Sequence, residues 1–419
     1  MAGELCVELI PYHQDFENKR NAEELRRLFH VFIGPRACDA QELQAVQEEE
    51  MLRLLGKLLE SPEDFMTYTG DSTAAVLLRL AYGYNPNQAH GDSLSLVKIV
   101  QDAMDGFSVA SEPGWWVDSF PLLRHLSWAP FLTAARRMRE DLERLYRVPF
   151  AFVKREREKG IAEISFISTF LDDKDGEETH EDEDLINAAA ASLYSGGAET
   201  TVSSLDSYFL AMAHFPHIQT KAQSIIDDYM HSTIRSSSSP PSTRRQFPSI
   251  SDRPNLPYIE AMVYEILRWN PSVPLGLPHV VTQDDFYRGF DIKKGTVVWA
   301  NIWSILHDDT LFPDPDEFKP ERYLDEHGHI AKNSKQILAA KTAFGFGRRI
   351  CPGLYLAENS VFLAIATLLF TFDITPHESG LPEIRYDGFI SHPRPFKCRI
   401  QPRSNEIARL IREAVQRLH

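Results

Sequence analysis

Apolar residues recur at helical spacing through the first half of the chain. The runs Glu42–Glu60, Asp71–Tyr82 and Phe131–Tyr146 place apolar side chains three or four residues apart, as helices with one buried face do. A longer helix is predicted from about Glu183 to Phe215, and at about 1.5 Å per residue it would measure roughly 45–50 Å. The first half is therefore predicted to be helical.

The second half mixes helices with short strands. Helix Pro257–Trp269 and an apolar helix that begins near Tyr355 are separated by proline-rich coil at Phe312–Arg322. Strand-like patterns occupy the stretches Pro278–Thr282, Thr296–Trp299 and Arg385–Ile400. A turn is predicted at Tyr287–Gly289, between the first two. We therefore predict a mainly α fold with a small β part.

Two flexible loops are predicted inside one large domain. The segment from about 172 to 184 holds nine acidic residues against Lys174, and such a charge run is typical of a solvated loop. The segment from about 232 to 248 is rich in serine and proline, which predicts a loop without regular structure. No internal repeat and no linker between independent cores is visible, so a single domain is expected.

Composition favours a folded protein of a reducing compartment. Of the 419 residues, 43% are hydrophobic, which is enough to build a sizeable core. The four cysteines form no CxxC pair and are too sparse for a disulfide framework. The net charge is −16, and the acidic segment alone supplies about half of it. No basic stripe with interleaved aromatic residues is present, so nucleic acid is not an expected partner.

The hydropathy pattern predicts no membrane span. No run reaches the roughly 18 apolar residues that are needed to cross a bilayer, and the first residues lack the basic start and apolar stretch of a signal peptide. We expect a protein that is soluble or at most peripheral. The segments Pro113–Pro121 and Leu126–Phe131 are rich in large apolar residues, and three interpretations stay open: ordinary core, a mobile flap over an apolar pocket, or a surface that contacts a membrane.

A glycine-rich segment, Phe344–Gly353, places Cys351 just before an apolar helix. The partial positive charge at a helix N-terminus favours thiolate over thiol, and Pro352 suits a first turn because it has no N–H. The glycines let the backbone lie close to a flat, bulky group. A lone thiolate is a poor zinc site but suits haem iron, which brings its own equatorial ligands. The alternative is a buried cysteine that follows a turn.

A second candidate lies in the long helix, at Gly196–Thr201. Each of its two glycines costs a helix about 1 kcal/mol relative to alanine, so a local groove is expected. The hydroxyl of Thr200 can bond back to the carbonyl of Gly196 and widen the turn, with Glu199 beside it. Such an acid–alcohol pair can relay protons through water to bound dioxygen. The alternative is a helix kink that packs against a neighbour.

The cysteine segment resembles the haem-binding signature of the cytochrome P-450 family, the haem-thiolate monooxygenases. The positions that carry the resemblance are Phe344, Gly347, Arg349, Cys351 and Gly353. The resemblance implies a mainly α haem-thiolate fold and haem b as cofactor, with Cys351 as the axial ligand of the iron. The other haem-binding residues that it implies are Phe344, Gly345, Arg349, His279, Arg26 and Gly353.

Gly196–Thr201 resembles the oxygen-binding segment of the same family. The resemblance implies that Glu199 and Thr200 are catalytic residues that handle oxygen and protons. It also implies a pocket for a small lipophilic substrate, lined by Ala190, Leu193, Gly197, Val273, Leu277, Phe389 and Ile390.

Three charged residues occur along the chain in the same order as the members of a structural ion-pair network in the family. Glu265 and Arg268 lie at i and i+3 on one predicted helix face, and Arg322 follows them before Cys351. The resemblance implies that these three side chains form a buried, mutually satisfied brace behind the cysteine segment.

Two positions resemble the family's contacts to the haem propionates, namely Arg349 and His279. An ordinary surface histidine is the alternative for His279. Arg26 can stand for a third contact, although Ala22 occupies the place where family members carry a tryptophan.

The two ends of the chain match the family unequally. Asp387–Phe396 is similar to fungal members of secondary metabolism, of the O-methylsterigmatocystin oxidoreductase-like group. Residues 1–22 match poorly, and the chain is expected to lack the family's N-terminal anchor and first sheet, which leaves a catalytic domain over residues 23–419. The family implies the cytosolic face of the endoplasmic reticulum membrane, whereas this chain is expected to be cytoplasmic or peripheral.

The leading hypothesis is a monooxygenase that inserts one atom of O2 into a small lipophilic substrate. Its electrons would come from NADPH through a separate cytochrome reductase, because no GxGxxG fingerprint follows a strand. Candidate docking charges are Arg348, Lys341 and Arg136–Arg137, with solvated surface as the alternative. Two rivals stay open: a haem enzyme that is driven by peroxide or isomerises its substrate, and a truncated, catalytically inactive haem-fold protein.

Overall fold

The computed structural model describes residues 16–88, 96–111, 115–126, 130–172, 180–236 and 246–418. Most of these residues are helical. The α-helices are α1 (Phe16–Ile33), α2 (Pro35–Cys38), α3 (Gln41–Glu60), α4 (Phe65–Tyr82), α5 (Leu96–Ser111), α6 (Trp116–Ser119), α7 (Pro130–Glu158), α8 (Phe166–Asp172), α9 (His180–His214), α10 (Pro216–Ser236), α11 (Pro257–Trp269), α12 (Ile302–Leu306), α13 (Lys335–Ala340), α14 (Leu354–Thr371) and α15 (Asn405–Gln416).

The strands are short and lie in the last third of the chain. They are β1 (His279–Val280), β2 (Asp285–Tyr287), β3 (Phe290–Ile292), β4 (Val297–Val298), β5 (Phe372–Pro376), β6 (Tyr386–Asp387), β7 (His392–Pro393) and β8 (Cys398–Pro402). They form antiparallel pairs, β1 with β4, β2 with β3, β5 with β8 and β6 with β7. The predicted fold class, mainly α with a small β part, is confirmed.

Several predicted helices have different ends in the structure. α4 begins at Phe65 rather than Asp71, because a 3-10 turn leads directly into it. α7 continues beyond the predicted end at Tyr146 and passes through Pro149. Pro149 is buried with Phe152 on one face of α7, and this packing outweighs the lost hydrogen bond.

The predicted turn at Tyr287–Gly289 closes a hairpin whose strands, β2 and β3, the sequence pattern did not predict. Arg288 (φ 49°) and Gly289 (φ 93°) take the left-handed conformation that a two-residue hairpin turn needs. The register pairs Tyr287 with Phe290 across this turn. All residues of β2 are exposed, so the alternating burial that usually marks a strand is missing here.

The chain packs as two compact units. The described part of Met1–Phe32 and Ala74–Ala198 form the first, while Ile33–Thr73 and Glu199–His419 form the second. A single catalytic domain over residues 23–419 stays a prediction.

Aromatic packing and a close helix contact build the first unit. The rings of Phe32 and Phe166 lie 5.2 Å apart at an angle of 77°, and Phe170 packs edge-on to Phe166. Gly106 brings α5 so close to α7 that a Cβ on this glycine would lie 3.3 Å from Cγ of Met138. These contacts order the helices α1, α5, α7 and α8.

The core of the second unit surrounds α14. Phe362, Ile365 and Leu369 of this helix are fully buried, and α3, α10 and α11 pack around it. Among the described helices, α14 alone is long and apolar enough to cross a membrane, but 72% of it is buried inside the protein. It is therefore the central helix of a core.

Some predicted loops fall partly outside the described residues. Residues 173–179 of the acidic segment lie outside, and 180–184 form the beginning of α9 rather than a loop. Residues 237–245 of the serine-rich segment also lie outside, and α10 extends to Ser236. In the segment Pro113–Pro121, Trp116 and Phe120 are exposed, so ordinary core is the wrong interpretation for these two side chains.

Candidate active site

The cysteine segment folds into a closed loop. The backbone N–H of Cys351 donates to the carbonyl of Phe344 at 2.8 Å. Gly345 (φ +82°) and Gly347 (φ +56°) take backbone conformations that strain other residues. These constraints hold Cys351 at one place on the loop, where it is partly exposed.

The loop delivers the thiol to the start of α14, whose first residue is Leu354. The N–H groups of a helix's first turn stabilise a thiolate at this position. Phe346 and Ile350, on the same loop, expose large apolar side chains. A thiol with apolar groups beside it on a glycine-rich loop fits a flat, apolar metal group such as haem.

Glu265, Arg268 and Arg322 lie together in one ion-pair network. Nε of Arg268 is 2.7 Å from Oε2 of Glu265, and Nε of Arg322 is 3.4 Å from Oε1. Glu265 also accepts hydrogen bonds from the hydroxyl of Tyr323 at 3.1 Å and from the N–H of Lys319 at 2.7 Å. Glu265 and Arg268 are fully buried, so the network places two opposite charges in the core and satisfies both.

A second network, which the sequence analysis missed, ties the first turns of α14 to α11. Arg253 lies 2.6 Å from Glu260 of α11 and 2.7 Å from Glu358 of α14, and it donates to Asn359 at 2.8 Å. Burial raises the pKa of Glu358, and the charge of Arg253 opposes that rise. Because its members are far apart in sequence, no local spacing indicates this network.

On α9, the carbonyl of Thr200 accepts two side-chain hydrogen bonds. The hydroxyls of Ser204 and Ser272 donate to it at 3.2 and 3.0 Å. Hydroxyls at a helix carbonyl compete with the regular ladder, which agrees with a local distortion at this turn. The bond predicted from the Thr200 hydroxyl to Gly196 stays a prediction.

The second glycine of this segment has a packing role. A Cβ on Gly197 would lie 3.0 Å from Cδ2 and 3.2 Å from Cδ1 of Leu77 on α4, closer than side-chain carbons normally approach. Gly197 therefore fits the alternative to a groove, namely a helix that packs tightly against a neighbour. Gly196, in contrast, is exposed.

A serine–asparagine network holds the turn before β7 against α9. The Asn270 side chain donates to Oγ of Ser207 at 2.8 Å and to the carbonyl of Ser391 at 3.1 Å. The hydroxyl of Ser203 donates to the same carbonyl at 2.6 Å, and that of Ser391 donates back to Oδ1 of Asn270 at 2.9 Å. These four residues are buried, so the turn is fixed relative to the helix.

The fixed turn brings a histidine to the predicted catalytic carboxylate. Nε2 of His392 lies 3.1 Å from Oε2 of Glu199. The angle there does not satisfy a hydrogen bond, and this nitrogen has no hydrogen-bond partner among the described residues. No local sequence pattern indicates this contact, because His392 stands almost two hundred residues after Glu199.

The predicted substrate residues of the second unit lie on two adjacent segments. The N–H of Ser391 donates to the carbonyl of Ser272 at 2.8 Å, which joins the segment of Phe389 and Ile390 to that of Val273. The half-buried side chains on these segments are Val273, Leu277, Phe389 and Ile390.

The other predicted residues have diverse surroundings. In the first unit, Ala190 and Leu193 are buried on α9, and Arg26 is half-buried on α1. In the second unit, His279 is exposed on β1 opposite Val298. Arg349 and Gly353 are half-buried in the cysteine loop.

Comparison with known proteins agrees with this geometry. The family model that describes cytochrome P-450 matches residues 12–400. The chain belongs to the cytochrome P-450 family. Cytochrome P-450 monooxygenase 208 of Postia placenta is 40% identical to it, over 98% of the chain and 78% of that relative.

Two further relatives are fungal monooxygenases. The chain is 38% identical to the cytochrome P-450 monooxygenase claR of Ampulloclitocybe clavipes, over 93% of the chain and 70% of that relative. It is 34% identical to the tryptamine 4-monooxygenase of Psilocybe cyanescens, over 93% of the chain and 75% of that relative. The predictions of a haem-thiolate monooxygenase with haem iron as cofactor are thereby confirmed.

Proposed function

We propose that this cytochrome P-450 inserts one atom of O2 into a small lipophilic substrate, with electrons that a separate reductase takes from NADPH. The supporting observation is the combination of a fixed thiol, Cys351, before α14 with the pair Glu199 and Thr200 on α9. The acid–alcohol pair argues against a peroxide-driven or isomerising relative, because those reactions need no proton delivery to O2.

Cys351 would hold the haem iron through its thiolate, and Phe344, Gly345 and Gly353 would contact the cofactor. The cationic or hydrogen-bonding partners of the propionates in the second unit would be Arg349 and His279, and the role of Arg26 in the first unit stays a prediction from the sequence. When bound, the haem supplies an iron centre that activates O2, and a thiolate ligand favours O–O cleavage.

Thr200 and Glu199 would provide protons on the other side of the site. The Thr200 hydroxyl can hold a water molecule, and the Glu199 carboxyl, partly exposed, can pass a proton to that water. Apolar side chains around them would exclude other water, which limits the loss of reducing equivalents as peroxide.

The substrate would contact Val273, Leu277, Phe389 and Ile390 in the second unit. The roles of Ala190, Leu193 and Gly197 in the first unit stay predictions from the sequence. The first four are apolar and half-buried on adjacent segments, which suits a lipophilic ligand. A relative that is 34% identical is named for its action on tryptamine, a small aromatic amine.

We place the protein at the cytosolic face of the endoplasmic reticulum or free in the cytoplasm, with peripheral membrane contact. The proposed docking site for the reductase includes Arg348 on the cysteine loop and Lys341 just before it, and both side chains are exposed. An acidic reductase surface would be complementary to these charges.

The test is electron and oxygen consumption by the purified, haem-loaded chain with a fungal NADPH–cytochrome reductase. Small aromatic and terpenoid compounds are screened for a shift of the Soret band, and those that bind are offered as substrates. NADPH-dependent formation of a hydroxylated product supports the proposal. Haem uptake without any NADPH oxidation across reductases would favour the inactive haem-fold protein.

A further inference from the structure

His392 occupies a built position next to the proposed catalytic acid. Its Nε2 is buried and lies 3.1 Å from Oε2 of Glu199, while about a quarter of its side chain (26%) is exposed. The preceding residue, Ser391, is anchored to α9 through Ser203 and Asn270. The ring thus lies partly exposed beside Glu199, whose own side chain is 44% exposed, and its place is set by a buried network.

Asp206 lies two helical turns after Glu199, on the same face of α9. It is 2% exposed and accepts a hydrogen bond from the hydroxyl of Thr69 at 2.9 Å. Burial raises the pKa of Asp206 to about 7; a charge on His392 opposes this rise, and a charge on Glu199 adds to it. Asp206, His392 and Glu199 therefore act on one another electrostatically.

We propose that His392 is a positioning residue that transfers protons from solvent to Glu199. We also propose that Asp206 controls the charge of His392 and Glu199. The proposal rests on the proposed function, in which Glu199 donates protons near Thr200. It adds a specific proton entry from the β7 side, through the segment that also carries Phe389 and Ile390.

The proton transfer balances without any further reactant. A protonated His392 gives its Nε2 proton to Oε2 of Glu199 after a small ring rotation aligns the two atoms, and the imidazole becomes neutral. The neutral ring keeps its proton on Nδ1, and solvent protonates the vacant Nε2 when a further ring rotation turns this nitrogen toward the exposed side. Glu199 then passes its proton to a water molecule near the Thr200 hydroxyl and is again a carboxylate.

Other titratable groups of the described residues lie beside this array. On β8 there is Cys398, whose pKa is raised to about 12 by burial and by the charge of Asp206. Beside β7, Arg394 is paired with Asp387 at 2.6 Å. These other groups keep their charge between about pH 5 and 8, so they contribute no change in charge over that range.

The decisive variant is His392→Gln, because glutamine keeps a hydrogen-bond donor but cannot carry a proton. His231→Gln, an exposed histidine on α10, is the matched control. With the haem-loaded full chain and reductase, product formed per NADPH is measured from pH 5.5 to 8.5. We expect His392→Gln to lower this ratio roughly a hundredfold, the lower end of the range for loss of a general acid, and to flatten its pH profile.

A second measurement does not depend on activity. The titration of the Asp206 carboxyl is followed by difference infrared or carbon-13 NMR spectroscopy, with Asp206→Asn to assign the signal. Because the His392 charge lowers the pKa of Asp206 and the Glu199 charge raises it, His392→Gln should move the midpoint up and Glu199→Gln should move it down.

The outcomes separate the two proposals. A normal carbon monoxide spectrum with an unchanged ratio and pH profile in His392→Gln overturns the proton entry and leaves the proposed function standing. An Asp206 midpoint that neither variant moves also overturns it. Wild-type protein that takes up haem but never forms product contradicts the proposed function itself. Equal losses in His392→Gln and His231→Gln would show a general defect and likewise refute a specific role.

Discussion

Asp206 provides a quantitative test of the buried charge array through protein stability. The substitution Asp206→Asn keeps the size of the side chain and the acceptor for Thr69, but it removes the ionisable group. The ordinary pKa of this carboxyl is 3.8, and in the folded protein it is about 7. The folded state therefore binds a proton that the unfolded state has released between these two values.

The sign of the effect follows from this difference. A raised carboxyl pKa contributes stability below about pH 4 and loses that contribution as the pH rises through about 7. Between pH 5 and pH 8 the wild-type protein should lose about 3 kcal/mol of unfolding free energy through Asp206, from 1.36 kcal/mol per pKa unit. The Asp206→Asn protein lacks this pH-dependent contribution. Its unfolding free energy relative to that of the wild type should therefore rise by about 3 kcal/mol between pH 5 and pH 8.

The assay is urea unfolding of both proteins at pH 5 and pH 8, followed by circular dichroism. Asp228→Asn on α10, where the carboxylate is exposed, is the control and should keep the wild-type pH dependence. A constant difference between wild type and Asp206→Asn across this range would refute a buried proton at Asp206. A difference of the opposite sign would show that the folded protein favours the carboxylate.

Three further predictions concern the brace, the helix contact and the oxygen segment. Arg322→Met leaves the buried Glu265 with one cation fewer and should lower the unfolding free energy by about 3 kcal/mol, measured by urea unfolding; a loss below about 1 kcal/mol, typical of a surface pair, would contradict a buried role. Gly197→Ala forces Leu77 to move, at an overpacking cost of about 1–3 kcal/mol against about 1 kcal/mol gained in helix propensity, so stability should fall by up to about 2 kcal/mol, whereas a higher melting temperature would show that the gap accommodates a methyl group. Thr200→Ala should retain the haem spectrum but divert NADPH electrons to peroxide, measured by a peroxidase-coupled assay, and unchanged product per NADPH would exclude Thr200 from proton delivery.

Local patterns predicted the helices and the cysteine loop well. The bounds of α11 agree at both ends, because its apolar periodicity starts at a proline and ends at Trp269. The glycine and proline spacing around Cys351 predicted a loop before a helix, because positive φ angles and a first-turn proline are properties of single residues. The brace of Glu265, Arg268 and Arg322 was predicted only from the family resemblance. An i, i+3 pair such as Glu265 and Arg268 is too common to indicate it alone.

Features set by packing between distant segments were beyond prediction from the sequence. Nothing near Arg253 indicates that it pairs with Glu358, and nothing near His392 indicates Glu199. The strands of the hairpin at Arg288 were missed because they are exposed on both faces and so lack alternation. These contacts depend on tertiary structure, which no local period encodes.

The central claim is that Cys351 holds haem iron as a thiolate in this chain. The most direct test is the carbon monoxide difference spectrum of the reduced, haem-loaded protein, with Cys351→Ala and a Cys398→Ala control on β8. We expect the Soret band typical of thiolate ligation in the wild type and in Cys398→Ala, and its loss in Cys351→Ala. A wild-type spectrum without this band, or a thiolate band that survives in Cys351→Ala, would contradict the account.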